Sequence, residues 1–272
     1  MLKARVITAL VMVAGLLACI FLLPPAGWLL FGALLCAAGA WEWGAFAGLA
    51  GARRVGLTIA FGLACVLLGV AAGLHGDAAR TDVLLPLYGL SALFWVFAVP
   101  AWLARKWRLS SLWLAIVTGF IVLVPTALAL VQLRAAGPWV LLGVMAVVWV
   151  ADIAAYFSGR AFGRHKLAPS ISPGKTWEGA AGAVIAVLVY GFAVLAAGPG
   201  LAAFGPLPVA LALLAWTALS IIGDLFESLL KRQAGLKDSG SLLHGHGGVL
   251  DRVDSLTSTL PLVALVSLWL AR

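Results

Sequence analysis

Val55–Leu74 reads VGLTIAFGLACVLLGVAAGL, twenty residues without a charge. At the rise of an α-helix, ~20 such residues cross the ~30 Å hydrocarbon core of a bilayer. Outward from it, Val6–Leu23 and Val184–Ala197 are equally uncharged, and the 272-residue chain is 64% hydrophobic and 10% charged, with a mean hydropathy of +1.11. Soluble domains carry roughly one-quarter charged residues. The bilayer is therefore the solvent of this chain. No soluble domain, internal repeat or low-complexity tract stands out, and no nucleic-acid partner is expected.

The first run follows Lys3 and Arg5 as a secretory signal would, but its 18 residues lack a small-x-small cleavage site, so it reads as a retained span. Hydropathy and helix breakers predict an all-α, polytopic integral membrane protein of about nine transmembrane helices, near 5–24, 27–49, 55–74, 83–103, 112–133, 138–158, 177–197, 204–226 and 250–270. With the N-terminus cytoplasmic, fifteen Lys and Arg fall in inner segments and three (Arg80, Arg134, Arg272) outside. A wrong number of spans would scramble that split, so it supports both count and direction. The net charge of +8 then sits on the face where nucleotides and anionic headgroups are found. Cys19, Cys36 and Cys65 all lie in apolar runs without disulfide or zinc spacing and read as packing residues.

Carboxylates near hydrocarbon are costly, and seven of the ten acids lie from Asp152 onward. The chain thus divides, within one membrane domain, into scaffold helices over 1–137 and a region over 138–272 in which the function is expected. Ile222–Ser255 reads IGDLFESLLKRQAGLKDSGSLLHGHGGVLDRVDS. On a continuing eighth helix, Asp224, Glu227, Ser228 and Lys231 form one polar stripe at i, i+3, i+4 and i+7. Asp251, Asp254, Ser255 and Ser258 open the ninth helix in the same manner, so the two stripes can face one pocket. Its carboxylates suit a hard divalent cation, and Lys231, Arg232, Lys237 and Arg252 suit phosphate oxygens. Gly245, Gly247 and Gly248 would let backbone N–H groups approach a phosphate.

A second segment places Asp152, Tyr156 and Arg160 at i, i+4 and i+8, followed by GRAFGRHKLAPSISPGKTWEG. Gly174–Lys175–Thr176 imitates the end of a P-loop. The first glycine of that motif would fall on Pro169 and no strand is expected before it, which excludes a P-loop. Lys175 and Thr176 could still meet phosphate where the seventh helix opens; the alternative is a helix cap beside an interfacial Trp177. His246 reads as a phosphate donor and His244 as an interfacial residue, since a zinc site needs further N or S ligands. Glu42, between Trp41 and Trp43 in the second span, either pairs inside the bundle or joins the site.

The run Ser228-Leu-Leu-Lys-Arg, then Lys237-Asp238-Ser-Gly, then His246-Gly-Gly-Val-Leu-Asp251-Arg-Val-Asp254 resembles the pattern of phosphatidate cytidylyltransferases, or CDP-diacylglycerol synthases. SPGKTWEG at 172–179 and the tract from Asp152 through FGRHKLAP are similar to that family too. The specific likeness covers 149–258. It implies a nucleotidyltransferase of the inner membrane, with its active site at the cytoplasmic face, condensing CTP with phosphatidic acid to CDP-diacylglycerol and pyrophosphate. It further implies Mg²⁺, with a second metal ion left open, membrane lipids as surroundings, and a homodimer. On that reading Asp224, Asp251 and Asp254 hold metal, and with Lys237 and Arg252 they form the catalytic set. Asp152, Lys175, Thr176, Ser228, Lys231, Arg232, His246, Gly247 and Gly248 bind substrate. The alternative from another class is a secondary transporter or channel with ionisable residues at the cytoplasmic helix ends.

Overall fold

Prolines fix where several helices begin. Pro25, Pro138 and Pro206 each open a helix directly after Pro24, Gly137 or Gly205. A proline there removes an N–H that has no partner inside the helix in any case. The computed structural model describes residues 2–76, 79–197, 204–240, 242 and 247–270, with side chains from Leu10 onward. Among these residues run nine long helices: α1 (Leu2–Leu22), α2 (Pro25–Phe46), α3 (Gly51–Ala71), α4 (Thr81–Arg105), α5 (Leu112–Ala135), α6 (Pro138–Phe162), α7 (Trp177–Ala197), α8 (Pro206–Gln233) and α9 (Leu250–Leu270). Eight of them, α2 to α9, are long and apolar enough to cross a membrane. Leu30, Leu67, Phe97, Val189 and Leu211 point outward from the bundle, as lipid-facing residues must.

Contacts between turns sort the helix ends into two groups. At one end the Gln233 amide donates to the carbonyls of Lys106 and Trp107 at 3.1 and 2.8 Å, and Val249 N–H reaches Glu42 at 2.9 Å. At the other, the Arg134 guanidinium donates to the carbonyls of Ile20 and Leu23. The helices therefore alternate in direction, as the charge pattern predicts.

Helix α5 is the axis of the bundle. Its residues from Ile121 to Leu133 are buried on every side by α2, α3, α4, α6 and α9. Polar staples hold these apolar rods in register, because a donor facing hydrocarbon has no water to turn to. Trp43 Nε1 donates to Ala115 O at 2.9 Å, Thr126 Oγ1 to Thr257 O at 3.1 Å, and Ser258 Oγ to Leu219 O at 2.8 Å. The last contact marks the tight crossing of α8 and α9. A Cβ on Gly223 would lie 2.5 Å from Ser258 Oγ and 2.8 Å from Asp254 O, so only glycine lets the two backbones come this close. Cys36 and Cys65 are buried free thiols, as their apolar setting predicts.

Two features depart from plain helix. Within α4, Phe94–Ala98 forms a π-turn just ahead of Pro100, whose missing N–H interrupts the helical ladder. The turn brings Phe94, Trp95 and Trp102 around Phe226 of α8, with ring centroids 5.5 to 5.9 Å apart. Second, the segment expected as a loop before α7 contains a small antiparallel hairpin, β1 (Lys166–Ala168) and β2 (Ser172–Thr176). Buried Ile171 at its turn plugs the hairpin into the main core. The GKT tripeptide thus lies within a strand rather than after one, so the exclusion of a P-loop stands.

With 28 residues, α8 is about 42 Å long at 1.5 Å per residue, longer than a ~30 Å hydrocarbon core. Its final turns emerge from the apolar layer. That surplus length carries Glu227, Lys231 and Arg232, with Asp224 at its base.

Candidate active site

Four elements converge at this end of the bundle. Asp224 is on the polar stripe of α8, and Lys175 reaches it from β2, with Nζ 2.5 Å from Asp224 Oδ2. Ser228, one turn further along α8, donates to Asp224 Oδ1 at 3.2 Å. Asp152 of α6 and Asp254 of α9 stand close enough to interact electrostatically with Asp224 and with each other. Lys175 offsets part of that negative charge. The hairpin, α6, α7 and α8 enclose a cavity of about 400 Å³ lined by Asp152, Tyr156, Lys175 and Asp224, with Ala151, Ala180 and Ala183 as its apolar floor. The two segments singled out in the sequence therefore form one site.

A second cluster lies beside the first. Lys231 pairs with Asp251 Oδ1 at 2.6 Å and with Glu227 Oε1 at 3.2 Å, all three side chains being nearly buried. Asp251 Oδ2 accepts from the backbone N–H groups of Ser239 and Gly248, each at 2.8 Å, and from Ser239 Oγ at 2.9 Å. Asp224 and Asp251 thus open the two stripes as expected, but each carboxylate is held by its own lysine.

The other expected residues divide by what surrounds them. Arg232, Lys237 and Arg252 are exposed at the rim. Thr176 is buried, and its Oγ1 accepts the Gly179 N–H at 3.1 Å, so the helix-cap alternative is realised there. The Gly248 N–H, expected to face phosphate, is instead engaged by Asp251, while Gly247 adopts φ +80°, a conformation that favours glycine. His244, Gly245 and His246 lie outside the described residues.

Of the two readings open for Glu42, pairing inside the bundle or joining the site, the structure combines both, since its partners Ser239, Val249 and Leu250 adjoin Asp251; Ser239 was not among the expected site residues. The signal for Glu42 was an acid alone in an otherwise uncharged apolar helix. Ser239 had no such signal.

Among the described residues, no three His, Cys, Asp or Glu side chains converge as a metal cage. Mg²⁺ rarely asks for one: it takes one or two carboxylates, and waters and substrate phosphates complete its shell. Asp224 and its neighbour Asp254 are oxygen donors of that kind, and the Lys175 ammonium on Asp224 Oδ2 marks a position where a cation is stabilised. The donor set fits the ion.

A family model described as the cytidylyltransferase family matches residues 3–270, well beyond the 149–258 in which the motifs lie. A phosphatidate cytidylyltransferase of Pseudomonas aeruginosa is 41% identical over 282 residues, covering 100% of this chain and 98% of that protein. One from Haemophilus influenzae is 38% identical over 285 residues, covering 96% of each. One from Bacillus subtilis is 47% identical over 118 residues, 42% of each chain. With a match over residues 3–270, and with Asp152, Lys175 and Asp224 gathered at one cavity, the chain belongs to the cytidylyltransferase family.

Proposed function

We infer that this protein is a phosphatidate cytidylyltransferase, which condenses CTP with phosphatidic acid to give CDP-diacylglycerol and pyrophosphate. The observation that carries the reading is the Lys175–Asp224 pair, which joins two distant segments at the mouth of a cavity with an apolar floor. An oxygen of the phosphatidic acid phosphate attacks the α-phosphorus of CTP, and the bond to the β-phosphate breaks as pyrophosphate departs. No strong base is required, because a phosphomonoester with a second pKa near ~6 is already an anion at pH 7. The demand is electrostatic: two polyanions must meet, and the leaving charge must be stabilised.

The chain's own residues are arranged for that demand. Lys175 and Lys231 are held in place by Asp224, Asp251 and Glu227, so their ammonium groups are preorganised before a phosphate competes for them. Arg232, Lys237 and Arg252 supply cations at the rim, and Ser228 and Asp152 orient polar groups of the substrate. Asp224 and Asp254 would hold Mg²⁺, whereas Asp251, also expected as a ligand, has its two oxygens engaged by Lys231, Ser239 and Gly248 and serves to position Lys231. When bound, that ion neutralises charge on the departing pyrophosphate. The diacyl tails approach laterally from the bilayer. A transporter or channel is not favoured, because the ionisable residues gather at one end of the bundle rather than at midplane.

The test is product analysis. Purified protein in lipid–detergent micelles, given CTP, Mg²⁺ and phosphatidic acid, is expected to release CDP-diacylglycerol and pyrophosphate in equal amounts. Solute flux in proteoliposomes without any CTP dependence would overturn the reading.

The proposal extends to topology: an inner-membrane protein with its N-terminus and both clusters on the cytoplasmic side, as the fifteen-to-three division of basic residues supports. In a variant without Cys19, Cys36 and Cys65, Ser170→Cys should resist an impermeant maleimide in intact spheroplasts, whereas Asp82→Cys should react. The reverse pattern would invert the model. Homodimer formation, implied by the resemblance, is tested by the mass of the solubilised particle.

A further inference from the structure

Glu42 has no exposed surface, and its partners come from the far end of the chain. Oε1 accepts the Val249 N–H at 2.9 Å; Oε2 accepts the Leu250 N–H at 2.8 Å and the Ser239 hydroxyl at 2.8 Å. These contacts span 207, 208 and 197 residues of sequence. A buried carboxylate is tolerated only when donors surround it, and here three do. The N–H groups at the start of α9 need acceptors in turn, since no earlier helical turn supplies them. Each side therefore satisfies the other.

The fit is tight. A Cβ on Gly248 would stand 2.4 and 2.5 Å from the two Glu42 oxygens, and one on Gly240 2.6 Å from Oε1. Glycine at these two positions lets the backbone close on the carboxylate. Ser239 then links this node to the site, because its hydroxyl lies 2.8 Å from Glu42 Oε2 and 2.9 Å from Asp251 Oδ2. One hydroxyl proton lies between two carboxylates, so a change at Glu42 alters the hydrogen bonding of Asp251.

We propose that Glu42 is a positioning residue of the active site: its carboxylate ties Ser239 and the first residues of α9 to α2, and through the Ser239 hydroxyl it sets where Asp251 stands against Lys231. The proposal rests on the cytidylyltransferase reading for its kinetic consequence but not for its structural one. Glu42→Gln keeps the volume and replaces one acceptor oxygen with a donor, which must face a donor already present.

Hydrogen exchange of the detergent-solubilised protein without substrate reads the tether directly. Protection of amides 249–251 should fall at least ~10-fold in Glu42→Gln, the cost of losing an acceptor at a buried N–H. Turnover with CTP should fall about 10- to 100-fold, the range typical when a supporting shell is removed. The KM for CTP should stay within about threefold, and half-saturating Mg²⁺ should rise, as expected of a misplaced group rather than a lost substrate contact. Ser239→Ala should show a smaller version of both effects, and the double variant should be no worse than Glu42→Gln, because the two act along one path. If Glu42→Gln fails to give a monodisperse protein, Ser239→Ala alone carries the test. Unchanged protection overturns the proposal, whether or not turnover falls. Lost protection with unchanged turnover overturns the link to Asp251. Absence of any CTP-dependent product from the wild type would remove the cytidylyltransferase reading, while the exchange data would still decide the tether.

Discussion

Asp224→Asn is expected to lower CTP-dependent turnover at least ~10²-fold, the scale of losing one preorganised electrostatic element. Asparagine preserves the shape and can still accept from Ser228, which donates to Asp224 Oδ1 at 3.2 Å. What disappears is the negative charge that holds Lys175 at 2.5 Å and that would bind a hard cation. Fold and membrane insertion should survive, since a neutral side chain is easier to place near hydrocarbon than a charged one. Asp82→Asn serves as the control, because Asp82 is an exposed acid paired with Arg80 at the opposite end of the bundle. Turnover measured across a Mg²⁺ titration decides the matter. Retention of more than about half the wild-type rate at saturating Mg²⁺, against the ~10² expected, would place the chemistry elsewhere.

Lys231→Met is expected to cost stability as well as activity. Lys231 bridges Glu227 and Asp251 with side-chain exposures of 12%, 8% and 10% respectively. Methionine keeps the length of the stem but strands two carboxylates away from water. Breaking a buried pair by removing one partner costs ~3–5 kcal/mol. For a chain of this size that corresponds to roughly ten degrees in the unfolding midpoint. Adding Glu227→Gln to Lys231→Met removes one of the stranded charges and should recover part of the loss. Thermal unfolding in detergent, followed at fixed pH, reads both. An unchanged midpoint in Lys231→Met would show that the ion pairs contribute nothing, and the lysine would then be a phosphate contact alone.

The spans could be read in the sequence to within about four residues at most ends, although α8 runs on to Gln233 where an end near 226 is expected. Segments expected at 177–197 and 250–270 correspond to α7 (Trp177–Ala197) and α9 (Leu250–Leu270). Where a helix runs longer, as α6 does to Phe162 and α8 to Gln233, the excess carries basic residues, Arg160 in one and Lys231 and Arg232 in the other. The stripe on α8 was equally legible, because Asp224, Ser228, Glu227 and Lys231 meet at helical spacing and do so in the structure. The β1–β2 hairpin was not: strands of three and five residues carry too little pattern to stand out from a loop. Nor was the capping use of Thr176, which depends on where Gly179 N–H falls.

What the sequence determined by itself was the solvent of the chain, the number and alternation of its helices, and the residue types that gather at one end. These follow from local quantities: the length of an uncharged run against the thickness of a bilayer, and the 3.6-residue period of a helix. Only the tertiary structure decided which acid meets which base. Lys175 finds Asp224 rather than another of the nearby carboxylates, and Glu42 closes on Leu250 across 208 residues. Such pairings are set by how apolar helices pack against one another, through contacts such as Gly223 against Ser258 and Trp43 against Ala115, and no local pattern encodes them.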